Sequence, residues 1–131
     1  MRFDIVTLFP GMFDALSEGI TGRALDKGLI ELHCWNPREY TTDVHRTVDD
    51  RPYGGGCGMV MIAWPLVASV EDVRGDDPQV PIILLTPQGR PFTQTVAQEL
   101  AAHPRLILVC GRYEGVDERV RQSVITDEIS I

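Results

Sequence analysis

Alternating strand-like and helix-like segments predict an α/β fold: a mostly parallel sheet with flanking helices. Three observations carry this expectation. Short apolar runs rich in β-branched residues recur at 80–85 and 106–110, the pattern of strands buried on both faces. Between and after them, apolar residues return every fourth position, as at Phe92, Val96 and Leu100 and at Val116, Val120 and Val124, which is one face of a helix. Glycine- or proline-bearing turns separate the two kinds of segment, and such alternation is the signature of βα units.

Taken in order, residues 2–9 read as the first strand, and Pro10-Gly11 turns the chain. Met12, Phe13 and Leu16 suit the apolar side of a short helix. Thr21 is the expected N-cap of a second helix that ends at Lys27 and is closed by Gly28. Residues 29–35 alternate Ile30, Leu32 and Cys34 against polar neighbours and predict a strand, stopped by Asn36-Pro37. Residues 38–58 lack apolar periodicity and are long for a loop in a compact domain. Their mixture of His45, Arg46, Asp49, Asp50 and Arg51 with glycines favours a functional segment over a linker. Order resumes at 59–62. Pro65 fits the first turn of a helix whose apolar face is Leu66, Val67, Val70 and Val73. The 80–85 strand then leads into Thr86-Pro87-Gln88-Gly89-Arg90, a helix begins near Thr93, and His103-Pro104 precedes the central strand. Residues 128–131 predict one more strand. Ending on Ile129-Ser130-Ile131, with no polar tail, reads as the interior of a larger protein.

The 131 residues suffice for one domain with a core. A formal net charge of −7 argues against a surface that coats nucleic acid, but leaves room for a local site. Cys34, Cys57 and Cys110 are widely spaced and form no CxxC pair, so neither a zinc site nor a disulfide framework is expected. No apolar run approaches the ~20 residues that cross a bilayer, so no membrane partner is expected. The start lacks a secretory pattern, and a reducing, cytoplasmic compartment is the expectation.

Chemistry is expected where the strands end. In open α/β sheets ligands sit outside the carboxyl ends of strands. Gly111 ends the central strand, where glycine permits a positive φ and a close ligand approach. The Thr86–Arg90 turn ends the preceding one, so the two loops could form a single crevice; ordinary βα connections are the competing reading. The Gly54-Gly55-Gly56-Cys57-Gly58 run matches neither GxGxxG nor the P-loop, which leaves a specific site or a flexible turn. His45 is a general base or an exposed loop residue. Cys110 reads as a small buried hydrophobe more than as a nucleophile. Glu114 is the acid aimed into the crevice, whereas Asp117, Glu118, Arg119 and Arg121 read as a solvated helix surface.

Taken together, Val48-Asp49-Asp50-Arg51-Pro52-Tyr53-Gly54-Gly55-Gly56 with Gly58-Met59, then Pro87-Gln88-Gly89, then Leu108-Val109-Cys110-Gly111-Arg112-Tyr113-Glu114-Gly115 with Asp117-Glu118-Arg119-Val120, strongly resemble the bacterial tRNA (guanine-N1)-methyltransferases. Leu8-Phe9-Pro10 and Thr21-Gly22-Arg23-Ala24 fit the same family. The resemblance runs through essentially the whole chain; Cys57 departs from it, since many members carry proline there.

The resemblance implies a SPOUT-type α/β domain, residues 1–131 being its N-terminal S-adenosylmethionine-binding part, with a trefoil knot incomplete in this chain. It implies a homodimer that methylates N1 of the guanine 3′ to the anticodon in tRNA, by contacts to the anticodon stem-loop. It assigns Leu84, Leu85, Thr86 and Pro87 to one cofactor loop, Gly111, Tyr113, Glu114 and Gly115 to a second, and Ser130 and Ile131 to the start of a third. His45, Asp49, Arg51, Gly54, Gly55, Gly56 and Gly58 match the face toward tRNA. Arg112 and Glu114 are expected assistants in catalysis, Glu114 through Mg²⁺, and the general base is expected beyond Ile131. The isolated chain is expected to be inactive. Two other readings are a non-catalytic cofactor-binding and dimerisation fragment of that enzyme, and a different, small-molecule methyltransferase.

Overall fold

The computed structural model describes residues 1–50, 58–112 and 115–131. Its centre is a five-stranded sheet in the order β2-β1-β6-β5-β7, built from β1 (Arg2–Val6), β2 (Glu31–Trp35), β5 (Ile82–Pro91), β6 (Arg105–Cys110) and β7 (Asp127–Ser130). All four pairings in it are parallel. A small antiparallel pair, β3 (Asp49–Asp50) with β4 (Val60–Met61), stands beside it. The helices are α1 (Gly19–Asp26), α2 (Ala63–Arg74), α3 (Gln94–Ala101) and α4 (Glu118–Ser123). No helix among the described residues is long and apolar enough to cross a membrane.

Period-two alternation sorts the side chains of the central strands onto two faces. Ile82, Leu84, Ile107 and Val109 join one buried cluster with Leu66, Val70 and Val73 of α2 and with Val120 and Val124 beside α4. Ile83 and Leu106 join the other with Val96 of α3 and Ile129 of β7. The chain crosses from β5 to β6 through α3, then returns over β5 to β7 through α4. Right-handed crossovers running in opposite directions cover opposite faces of a sheet, which is why α3 and α4 lie on different sides. The apolar runs at 80–85 and 106–110 are therefore the two central strands that the sequence predicts.

Three expectations need correction. The first short helix is a 3-10 helix, Pro10–Ser17, opened by Pro10. It runs almost directly into α1, which begins at Gly19 with Glu18 at its cap, so Thr21 is already inside the helix and caps nothing. The strand expected to stop at Leu85 is longer: Ile83–Leu85 pair with β7, the ladder is interrupted, and Arg90 and Pro91 pair with β7 again. The turn at 86–89 is thus an excursion from a strand.

Among the described residues, one charged group lies entirely within this apolar frame. Asp4 of β1 is fully buried. Its carboxylate accepts hydrogen bonds from Arg2 Nε and Nη2 (both 3.0 Å), Trp35 Nε1 (2.9 Å) and Arg105 Nε (2.8 Å). Arg105 also donates to the Val73 and Arg74 carbonyls and to Asp77, so it satisfies acceptors that the end of α2 leaves open. Burial pushes the Asp4 carboxyl up, but the donors from Arg2, Arg105 and Trp35 outweigh it and hold the group below the ordinary carboxylate range. A carboxyl lowered in the folded state contributes fully above its unfolded value of about 4, and the contribution is lost as pH falls through the folded value. Asp4→Ala should therefore cost about 3 kcal/mol at pH 7, because it leaves a largely buried arginine without its main counter-charge. Urea titrations at pH 7 and pH 3 check both parts: acidification should cost the wild type more than it costs Asp4→Asn. Equal acid sensitivity of the two would remove Asp4 as the titrating group.

Candidate functional site

The sequence-predicted crevice exists. β5 and β6 are parallel neighbours, so their carboxyl ends open on the same edge of the sheet. There a cleft of about 560 Å³ is lined by Leu84, Leu85, Thr86, Pro87 and Gln88 from β5 and by Gly111 and Arg112 after β6. Gly115 and Val116 on the return of the second loop, Glu118 and Arg121 of α4, and Val60 of β4 complete the wall. Val60 arrives by backbone pairing. Met61 N–H donates to the Gly115 carbonyl and Asp117 N–H to the Met61 carbonyl, both at 2.9 Å. β4, which follows the long 38–58 segment, is thereby fastened to residues 115–117.

Of the residues expected to bind a cofactor, the structure brings Leu84, Leu85, Thr86, Pro87, Gly111 and Gly115 together in this cleft. It does not bring Ser130 and Ile131 there. Ser130 ends β7, and Ile131 borders a separate, apolar hollow on the α3 face with Phe3, Leu85, Leu100 and Leu108. Tyr113, Glu114, Arg51, Gly54, Gly55, Gly56 and Cys57 lie outside the described residues. His45 is exposed on a turn held by Asp43, which accepts hydrogen bonds from Thr47 N–H and Oγ1. Asp49 lies half-buried in β3 and Gly58 is exposed before β4; none of these three lines the cleft. Among the described residues no group of three or more His, Cys, Asp or Glu side chains is placed to hold a metal ion.

The reason expected for Gly111 is also corrected. Its φ is not positive; in this loop the positive value belongs to Gly115, at φ 140°. Among the described residues, a Cβ built on Gly111 would meet only Val116 Cγ1, at an ordinary 3.6 Å. None of the described residues requires a glycine there, which leaves the open approach to its backbone as the feature to explain. Cys110, partly buried beside it, has its thiol pushed up to about 11 by burial and by nearby Cys34, which makes it a poor nucleophile at neutral pH.

Sequence reasoning missed Arg121 and Glu118, read as a solvated helix surface. Arg121 bonds Glu118 at 2.9 Å and reaches Gln88 Oε1 at 3.4 Å, and its second nitrogen lies 2.6 Å from Glu128 of β7. The group ties α4, the 86–89 excursion and β7 together at the cleft wall. The three-residue spacing of Glu118 and Arg121 signals only the local pair; the links to Gln88 and Glu128 are tertiary. Gly89 was read as a turn glycine. A Cβ there would collide with the backbone of Glu128 and Ile129, so glycine is needed for close approach. Gly89→Ala should destabilise by about 1–3 kcal/mol, because the obstacle is backbone that cannot change rotamer. A wild-type urea midpoint for that variant would show that the excursion lifts freely off β7.

Comparison with known proteins identifies the family and the fold. The family model described as tRNA (Guanine-1)-methyltransferase TrmD matches residues 1–131. A tRNA (guanine-N(1)-)-methyltransferase of Chloroflexus aggregans is 57% identical over 133 aligned positions, which cover 100% of this chain and 52% of that protein. The enzyme of that name from Geobacter sulfurreducens is 54% identical, with 100% and 54% covered. The crystal structure of tRNA (m1G37) methyltransferase from Aquifex aeolicus superposes with a TM-score of 0.88 at 35% identity, over 100% of this chain and 59% of that one. The chain spans about half the length of the curated relatives it matches.

Proposed function

The chain belongs to the tRNA (guanine-N1)-methyltransferase family, and from that premise we propose that it forms the S-adenosylmethionine-binding part of an enzyme that methylates guanine N1 next to the anticodon of tRNA. The observation that carries the reading is the cleft at the ends of β5 and β6, where residues of both expected cofactor loops converge. The homodimer, the cytoplasmic setting and a target site shared between subunits belong to the same proposal. So does a tRNA-facing role for His45, Asp49 and Gly58. It is supported by the fastening of β4, the partner of Asp49's strand, to the 115–117 segment.

The residues present fit the cofactor. Leu84, Leu85, Val60 and Val116 give the cleft apolar walls suited to a flat purine. The bare backbone at Gly111 leaves room for the polar edge of that ring, and Gln88 and Glu118 offer an amide and a carboxylate to ribose hydroxyls. When bound, S-adenosylmethionine supplies a methyl group carried on a positively charged sulfur. The chain's contribution is to fix that group's position and to exclude water around it. Guanine N1 carries a proton and must lose it to become a nucleophile. Glu118 and Glu128 are both engaged by Arg121, so neither is a free base; we place the base outside these 131 residues, as the family resemblance implies.

The direct test is methyl transfer by the intact enzyme to tRNA transcripts carrying guanine or adenine 3′ to the anticodon. Transfer to the guanine transcript alone is expected. Equal labelling of both transcripts, or labelling of free nucleotides without tRNA, would overturn the reading. Gly111→Ala makes a second test, because no described residue stands in the way of a Cβ there. The variant should melt as the wild type does while losing at least about tenfold in calorimetric affinity for S-adenosylmethionine. Unchanged affinity would show that the cofactor does not back onto Gly111.

A further inference from the structure

The cleft holds two arginines in different electrostatic states. Arg121 is neutralised by Glu118 and Glu128. Arg112 is exposed at the mouth, and no carboxylate among the described residues pairs with it. Its guanidinium lies over the ring of Phe9, 5.0 Å from the centroid. A ring face attracts a cation without cancelling its charge or occupying all of its donors, so an arginine held this way stays available to an anion.

Phe9 is built to serve as such a platform. It follows Leu8, which is buried, yet Phe9 itself is 44% exposed. Its N–H donates to Oγ1 of buried Thr7 at 3.1 Å, and its carbonyl accepts from Met12 N–H at 3.1 Å. The backbone is therefore pinned on both sides, at the point where the chain leaves β1 for the 3-10 helix. A large exposed aromatic pinned this way gains little from burial, and its ring meets the Arg112 guanidinium. Phe9 does not itself line the cleft.

We infer that Phe9 is a positioning residue that presents Arg112 at the cleft mouth to a backbone phosphate of the bound tRNA. This rests on the proposed tRNA methylation. The outward position favours phosphate over the cofactor's carboxylate, because a polymer lying across the mouth meets an exposed guanidinium, whereas a ligand enclosed between the two loops meets the inner walls. Such a local cation also reconciles RNA binding with a net charge of −7.

The test measures affinities of the intact enzyme for tRNA and for S-adenosylmethionine separately, with tRNA binding followed over a salt series. Arg112→Ala should weaken tRNA binding roughly tenfold or more. It should also reduce the slope of log affinity against log salt by about 0.7–1, the signature of one lost phosphate contact. Cofactor affinity should fall much less than tRNA affinity, although Arg112 also borders the cleft. Phe9→Leu, which keeps apolar bulk but lacks the ring, should weaken tRNA binding about two- to fivefold. Phe9→Tyr should restore it, and Phe9→Leu should have no further effect in the Arg112→Ala background. The inference is overturned by an unchanged salt slope in Arg112→Ala, by a loss confined to cofactor affinity, or by additive effects of the two substitutions. An enzyme that methylates tRNA but shows any of these results retains the proposed function and loses only this inference. Failure to bind or methylate tRNA at all removes both.

Discussion

The structure depends on the burial of Asp4. A carboxylate with no access to water is costly unless its charge and lone pairs are met, and here donors from three strands meet them. Each donor comes from a different part of the chain: Arg2 from β1 itself, Trp35 from the neighbouring β2, Arg105 from β6 on the other side. Satisfying one carboxylate thus fixes the lateral order of three parallel strands from the middle of β1. Arg105 carries the constraint outward by holding the last carbonyls of α2. Apolar burial alone would tolerate a strand shifted along its neighbour by two residues, since the same faces would still be buried. The carboxylate would not, because the shift would take away Trp35 or Arg105 and leave only Arg2 of its own strand to meet the charge.

Order fixed there leaves the carboxyl end free for chemistry. The two crossovers that flank β5 cover opposite faces, so the 86–89 excursion of β5 and the loop after β6 part from each other and a gap opens between them. β4 closes one side of the gap by hydrogen bonding to Gly115 and Asp117, and α4 closes another through Arg121. The walls come from segments distant in sequence, yet each is held by backbone pairing or by an ion pair to an element of the main sheet.

What could be read from the sequence was whatever local periodicity encodes. The strands around Ile82 and Leu106, the helix capped by Thr93, whose Oγ1 accepts from Val96 N–H, and the crevice at Thr86 and Gly111 all announce themselves within a dozen residues. The family resemblance added the names of loops, and six of the expected cofactor residues do meet in one cleft. The rest was set by partners far along the chain. Asp4 is one acid in an apolar run until Arg105 is placed beside it, and Gly89 is an ordinary turn glycine until the backbone of β7 arrives. Thr21 has the chemistry of a helix cap, but the 3-10 helix before it had already started the next one. Gly111 was noticed for a torsion angle that belongs to Gly115. Phe9 and Arg112 were both quoted within motifs, and only the fold shows one lying on the other.

The excursion at 86–89 leaves and rejoins the β7 ladder at a single residue: Leu85 and Arg90 both pair with Ile129. A loop with both ends pinned at one point has a fixed contour. Its shape is set before any ligand arrives, so little ordering entropy remains to be lost on binding. The same pinning restricts how this wall can vary over evolutionary time. Surface loops usually accept added or deleted residues at small cost, but an added residue here would have to bulge into the cleft or break the second pairing. Divergence at this wall should therefore proceed by exchanging side chains at constant length, while the exposed turn around His45, which lies outside the sheet, is free to change length.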